Sequence, residues 1–168
     1  MTLGEIIGES KNIVFFGGAG VSTESGIPDF RSEDGLYSLK YDVPPEEILS
    51  HTYFMRHTDK FYDFYRDKMI FLSAKPNKAH YKLAQLEKEG RLSAVITQNI
   101  DGLHTAAGSK CVYELHGSVH RNICQNCGKV FSAEYIMSTA EVPHCECGGL
   151  IKPDVVLYEE PLDEKTVT

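Results

Sequence analysis

Four of the five cysteines in this chain fall in one stretch as two short pairs, Cys124-Gln-Asn-Cys127 and, after seventeen intervening residues, Cys145-Glu-Cys147. Thiolates are the soft, negatively charged donors that a tetrahedral Zn2+ site takes, and two closely spaced pairs can supply all four ligands. Gly128 follows the first pair, and Gly148 with Gly149 follows the second, where tight backbone turns would aim both sulfurs at one ion. A closed four-thiolate site leaves no position for water, so its expected role is structural. The second pair has one residue between its cysteines where a usual zinc knuckle has two, and reduced thiols or a redox pair are the alternative reading. His144, beside Cys145, and His116 and His120 upstream are candidate substitute ligands, although four cysteines already close the site. Cys111 stands apart and reads as an ordinary buried thiol.

Three further clusters of chemically capable residues each follow a short apolar run. The first is Gly17-Gly18-Ala19-Gly20-Val21-Ser22, whose backbone N–H groups could approach a pyrophosphate. Thr23 stands where the dinucleotide fingerprint has its third glycine, so a tight structural turn is an equal alternative. Close behind comes Gly26-Ile27-Pro28-Asp29-Phe30-Arg31, where a guanidinium could pair with phosphate and an aromatic ring could cover a flat ligand. The second cluster, Thr97-Gln98-Asn99-Ile100-Asp101-Gly102-Leu103-His104, sets amides and a carboxylate where ribose or a carboxamide can be hydrogen-bonded. The third, Glu114-Leu115-His116-Gly117-Ser118, carries an imidazole, which titrates near neutral pH and suits a general base.

The elements that must position these groups are legible from patterning. Residues 12–16, 92–97 and 112–115 read as buried strands, and 3–10 as a short helix. Ser50 or Thr52 can cap a helix running toward His57. Thr58 with Asp59 can start another that carries Phe61, Phe64, Tyr65 and Met69 on one face. Pro76-Asn77 opens a third helix, with Ala79, Leu83 and Leu86 at helical spacing and Gly90 as its stop. Strands alternating with helices, each strand ending in glycine or polar residues, predict an α/β fold with a Rossmann-like parallel sheet. Ligands of such sheets bind beyond the carboxyl ends of the strands, where all three clusters fall. The cysteine segment, 119–151, interrupts the pattern as a small inserted zinc-binding module with its own helix over 132–140. The main domain is then 1–118 with 152–168, and residues 155–157 return to strand character.

The 168 residues, 42% apolar and 24% charged, describe one globular unit rather than a disordered or fibrous chain. Acidic residues outnumber basic ones 24 to 17, giving a net charge of -7, which argues against a nucleic-acid partner. The apolar runs fall short of the ~20 residues of a membrane span, and residues 1–10 lack the basic start and apolar core of a secretory leader. No membrane partner and a cytoplasmic location are therefore expected.

Taken together, the segments resemble the sirtuin family of NAD-dependent protein deacylases. The resemblance is carried by Gly18-Ala19-Gly20-Val21-Ser22-Thr23, Gly26-Ile27-Pro28-Asp29-Phe30-Arg31, Thr97-Gln98-Asn99-Ile100-Asp101, His116-Gly117, the four cysteines, and Lys152-Pro153-Asp154-Val155-Val156. It implies an NAD site formed by Gly18, Ala19, Gly20, Thr23, Phe30, Arg31, Gln98, Asn99, Ile100, Asp101 and His116. Asn99 and Asp101 would face the ribose and the nicotinamide carboxamide. His116 would be the general base, with Asn99 and Asp101 as its catalytic companions. Val155 and Val156 would bind an acetyl-lysine peptide as an added strand. Cys124, Cys127, Cys145 and Cys147 would hold Zn2+. The implied reaction begins with attack of the acyl oxygen on the ribose carbon bearing nicotinamide. It ends with free lysine and O-acyl-ADP-ribose.

Members that prefer acidic acyl groups carry a Tyr-x-x-Arg pair. Here the matching stretch is Tyr62-Asp63-Phe64-Tyr65, which predicts a deacetylase rather than a desuccinylase, because a buried acyl carboxylate would lack its partner. The resemblance also implies that the parallel sheet is incomplete at the C-terminus, since the family's later strands and phosphate- and adenosine-binding segments have no counterpart before Thr168. Two alternatives follow: a catalytically incomplete, zinc-stabilised peptide-binding fragment, and an NAD-dependent protein ADP-ribosyltransferase.

Overall fold

In the computed structural model, which describes residues 2–30, 32, 35–36 and 42–167, the chain opens with helix α1 (Leu3–Glu9) and strand β1 (Ile13–Gly17). A 3-10 segment, Ala19–Ser25, follows, and then helices α2 (Pro45–Ile48), α3 (His51–Arg56), α4 (Thr58–Lys68) and α5 (Lys78–Lys88). Strand β2 (Leu92–Thr97), helix α6 (Leu103–Ala106) and strand β3 (Val112–Glu114) complete the first half. The second half contains strands β4 (Gly117–Cys124) and β5 (Val130–Phe131), helix α7 (Ala133–Ser138), strand β6 (Ile151–Val155) and helix α8 (Glu164–Val167).

The strands form two sheets. In the first, β1, β2 and β3 run parallel in that order, as the alternation of strands and helices predicts. Their register pairs Gly17 with Thr97 and Thr97 with Glu114, so all three strands end level with one another. One face packs Ile13, Phe15, Leu92, Val95 and Val112 against Leu83 and Leu86 of α5 and Ile7 of α1. The alternate positions Val14 and Phe16 remain 55% and 61% exposed. In the second sheet β4 lies between β5 and β6, antiparallel to both.

The expected helix starts are present, and their chemistry is visible. Ser50 Oγ accepts from Tyr53 N–H at 3.1 Å to begin α3, and Asn77 caps α5. Ser132 caps α7, which ends at Ser138. Phe54, Phe61, Tyr62 and Tyr65 form a buried aromatic cluster with ring centroids 4.9 to 6.3 Å apart. This cluster packs against the second sheet and α7: the Tyr62 hydroxyl donates to the Ile151 carbonyl, and the neighbouring Arg66 Nε donates to the Ile136 carbonyl at 3.0 Å.

One strand departs from expectation. The final strand is Ile151–Val155, not 155–157, and it runs through Pro153. Proline lacks a ladder donor, but β6 is at the edge of its sheet, where that loss is tolerated. After Val155 the chain leaves the sheet: Leu157 N–H donates to Glu160 Oε2 and Tyr158 N–H to the Leu49 carbonyl.

Candidate active site

Because the three parallel strands end level, the polar clusters that follow them meet at one rim. Gly18 leads into the 3-10 segment, and Gly26, at φ 81°, ends it in the left-handed region that glycine enters without steric cost. This turn buries Ser22 completely and brings it against the cluster after β2. Ser22 Oγ donates to Asp101 Oδ2 at 2.6 Å, and Asn99 Nδ2 donates to Ser22 Oγ at 3.0 Å. The other Asp101 oxygen accepts from Leu103 N–H at 2.9 Å and so starts α6. Asn99 N–H in turn donates to Thr97 Oγ1 at 3.0 Å.

His116 follows β3 and is oriented by the β2 cluster. Its Nδ1 lies 3.0 Å from the Gln98 carbonyl, which can only accept, so Nδ1 carries a proton and, in the neutral ring, Nε2 is the basic nitrogen. Gly117, at φ 76°, lets β4 approach β6 so closely that a Cβ there would lie 1.9 Å from the Asp154 carbonyl oxygen. Val156 N–H then donates to the His116 carbonyl at 3.0 Å, tying the segment after β6 to the imidazole loop.

A cavity of about 590 Å³ opens between these parts. Of the residues singled out from sequence, Ala19, Phe30, Gln98, Asn99, Ile100, Asp101, His116, Val155 and Val156 line it. Gly18, Gly20 and Thr23 belong to the adjoining turn without lining the cavity, and Arg31 lies outside the described residues. Ser22 and His120 line it as well, in positions that the sequence did not single out for this cavity. Ser22 was one letter of a glycine-rich motif, and only its contact with Asp101 distinguishes it. His120 stood among possible metal ligands, yet it lines the cavity and its Nε2 donates to the Asp101 carbonyl at 3.1 Å.

The cysteines converge at the far end of the second sheet. Their four Sγ atoms lie within 4.8 Å of one another, with Cys124 and Cys147 3.5 Å apart and Cys127 and Cys145 3.7 Å apart. Four thiolates about 2.3 Å from one ion would stand at nearly these separations, so the donor set fits a tetrahedral metal. The Gly149 backbone N–H, followed by the Cys124 and Cys127 thiols, pulls the Cys147 thiol down to about 6. Cys127 is pushed up to about 12: the Lys129 backbone N–H acts to lower it but is outweighed by hydrogen bonds to Cys147, Cys124 and Cys145. His144 donates from Nδ1 to the Val142 carbonyl at 2.9 Å and stands outside the cluster.

A Rossmann-like parallel sheet with a cavity at its strand ends, joined to a four-cysteine module, is the architecture of an α/β protein that takes its ligand at the carboxyl ends of the strands. The signature of the Sir2 family matches residues 18–168, and the chain belongs to that family. It is 62% identical over 169 residues to an NAD-dependent protein deacetylase of Clostridium acetobutylicum, an alignment covering 98% of this chain and 69% of that one. A solved Sir2 structure holding deacetylated p53 peptide and 3'-O-acetyl-ADP-ribose superposes with a TM-score of 0.87 at 42% identity. It covers 99% of this chain and 70% of that one. A Sir2 homologue in complex with NAD superposes with a TM-score of 0.83 at 41% identity, covering 96% of this chain and 62% of the other.

Proposed function

We propose that the cavity binds NAD and an acetylated lysine on an extended peptide and carries out NAD-dependent deacetylation. One observation carries the reading: the imidazole with Nε2 as its basic nitrogen lines the same cavity as the Ser22, Asn99 and Asp101 network. The similar structures that hold NAD, and peptide with 3'-O-acetyl-ADP-ribose, support it.

NAD, when bound, supplies a ribose carbon whose positively charged nicotinamide is a ready leaving group. Gly18, Ala19, Gly20 and Thr23 form the turn beside it, with Phe30 on the segment that follows; Arg31, next in sequence, completes the proposed contact set. Gln98, Asn99, Ile100 and Asp101 make the wall that orients the ribose and the carboxamide. His116 Nε2 takes the proton of a ribose hydroxyl as that oxygen attacks the acyl carbon. Val155 and Val156 present main chain to the peptide, which adds as a strand. This mode makes sequence preference broad. The chain's own contribution is chiefly to position the reactants and exclude water.

Cys124, Cys127, Cys145 and Cys147 hold Zn2+ in this reading, and the ion holds together the module over 119–151, which is inserted into the main domain, 1–118 with 152–168. Four thiolates leave the ion no open position, so its contribution is structural. Free thiolate ligands need a reducing compartment, which supports a cytoplasmic location. Among the described residues, no helix is long and apolar enough to cross a membrane.

The test is product analysis. Protein incubated with NAD and an acetyl-lysine peptide should give free-lysine peptide, nicotinamide and O-acetyl-ADP-ribose in equal amounts. ADP-ribose attached to the peptide would replace the reading with a transferase.

A further inference from the structure

Asn77 divides its side chain between two elements. Its Oδ1 accepts from Ala79 N–H at 2.9 Å and caps α5. Its Nδ2 donates to the Val21 carbonyl at 2.7 Å and to Ser25 Oγ at 3.0 Å. A side-chain amide has two N–H hydrogens, so the whole donor capacity of Asn77 goes to the 3-10 segment, Ala19–Ser25. Between those two contacts sits Ser22, whose hydroxyl meets Asp101 at 2.6 Å.

The same helical turn reaches the other side of that contact. Asn77 N–H donates to His80 Nδ1 at 3.2 Å, and the buried His80 ring packs 4.7 Å from the ring of His104 in α6. That helix begins where Leu103 N–H meets Asp101 Oδ1 at 2.9 Å. The first turn of α5 therefore braces both partners of the Ser22 to Asp101 bond. A 3-10 segment has poorer internal hydrogen bonding than an α-helix, so its placement depends on such outside ties.

We propose that Asn77 is a positioning residue for the cofactor site: its amide N–H groups fix the 3-10 segment so that Ser22 meets Asp101 and the cavity wall keeps its shape. The inference rests on reading this cavity as the NAD site. Asn77 does not line the cavity, and its side-chain amide N–H groups reach it through Val21 and Ser25.

Asn77→Asp separates this role from capping. Aspartate caps a helix as well as asparagine, and its charge favours the helix N-terminus. It replaces the donating group with an oxygen facing the Val21 carbonyl. Asn77→Ser keeps a capping hydroxyl and adds no charge. In both variants, backbone amides of residues 18–26 should exchange hydrogen about tenfold faster than in the parent, while those of 78–88 are unchanged. NAD should bind about fivefold more weakly, a loss of roughly 1 kcal/mol, with acetyl-lysine peptide binding unaltered. The melting temperature should stay within about 2 °C of the parent. Unchanged exchange over 18–26 would overturn the proposal, as would loosening that spreads equally through α5. If the parent binds no NAD, the cofactor reading fails on its own, and exchange over 18–26 still decides the role of Asn77.

Discussion

Ser22 and Asp101, 79 residues apart in sequence, share a hydrogen bond of 2.6 Å that closes the cavity at the ends of β1 and β2. Two strand-end clusters become one wall through this bond. Asn99 joins it from the same side at 3.0 Å, so a single buried hydroxyl is held between an amide donor and a carboxylate acceptor. Such satisfied networks resist rearrangement because an unpaired buried polar group costs about 1–3 kcal/mol.

Gly117 should tolerate no side chain. Its φ of 76° and the 1.9 Å approach of a Cβ to the Asp154 carbonyl oxygen combine backbone strain with a clash against main chain. Gly117→Ala should destabilise the protein by more than about 2 kcal/mol in urea unfolding. Gly128→Ala, with open space around its Cβ, should cost only the left-handed strain, about 1–2 kcal/mol.

Stability should fall as the pH drops below neutral. Burial, then the neighbouring His80, lowers the His104 pKa to about 4, against an opposing pull from Asp101. Between pH 6.5 and about 4 the unfolded chain binds a proton that the folded chain excludes. The sign is thus fixed: this contribution is present above pH 6.5 and lost as pH falls toward 4, up to roughly 3 kcal/mol. Urea midpoints of the parent and His104→Gln between pH 5 and 7.5 should show a steeper slope in the parent.

Purified protein should carry one zinc per chain, and Cys124→Ser, at a site only 2% exposed, should abolish binding and lower the melting temperature. Retained zinc in that variant would remove Cys124 from the ligand set.

Acetyl-lysine should be preferred over succinyl-lysine by at least about tenfold, since an acyl carboxylate without a partner is costly to bury. Tyr65 is fully buried, and burial holds its phenol neutral. The adjacent Arg66 points its guanidinium at the Ile136 carbonyl and Thr139 Oγ1. The lysine lining the cavity, Lys68, lies 2.9 Å from Asp67. Competition between the two acyl peptides measures the preference directly.

Much of the scaffold was legible because apolar runs of strand length ended in glycine or polar clusters, and helix caps carried Ser50, Asn77 and Ser132. Strand β6 was misplaced because Pro153 argues locally against a strand, whereas its edge position removes the objection. The role of Ser22 was hidden for a different reason: no periodicity links positions 79 apart, and only the folded turn joins them. The contact between His80 and His104 was hidden in the same way: His104 stood only as the last residue of the cluster after β2, and nothing in the sequence links it to His80, whose ring packs 4.7 Å away.

The most direct test is nicotinamide release from NAD in the presence of an acetyl-lysine peptide, with matched detection of free lysine, for the parent and His116→Ala. The account predicts NAD-dependent deacetylation by the parent and a loss of roughly 100-fold or more in the variant, since Nε2 of His116 is the base. Deacetylation that survives in His116→Ala, or none from folded, zinc-loaded parent protein, would contradict it.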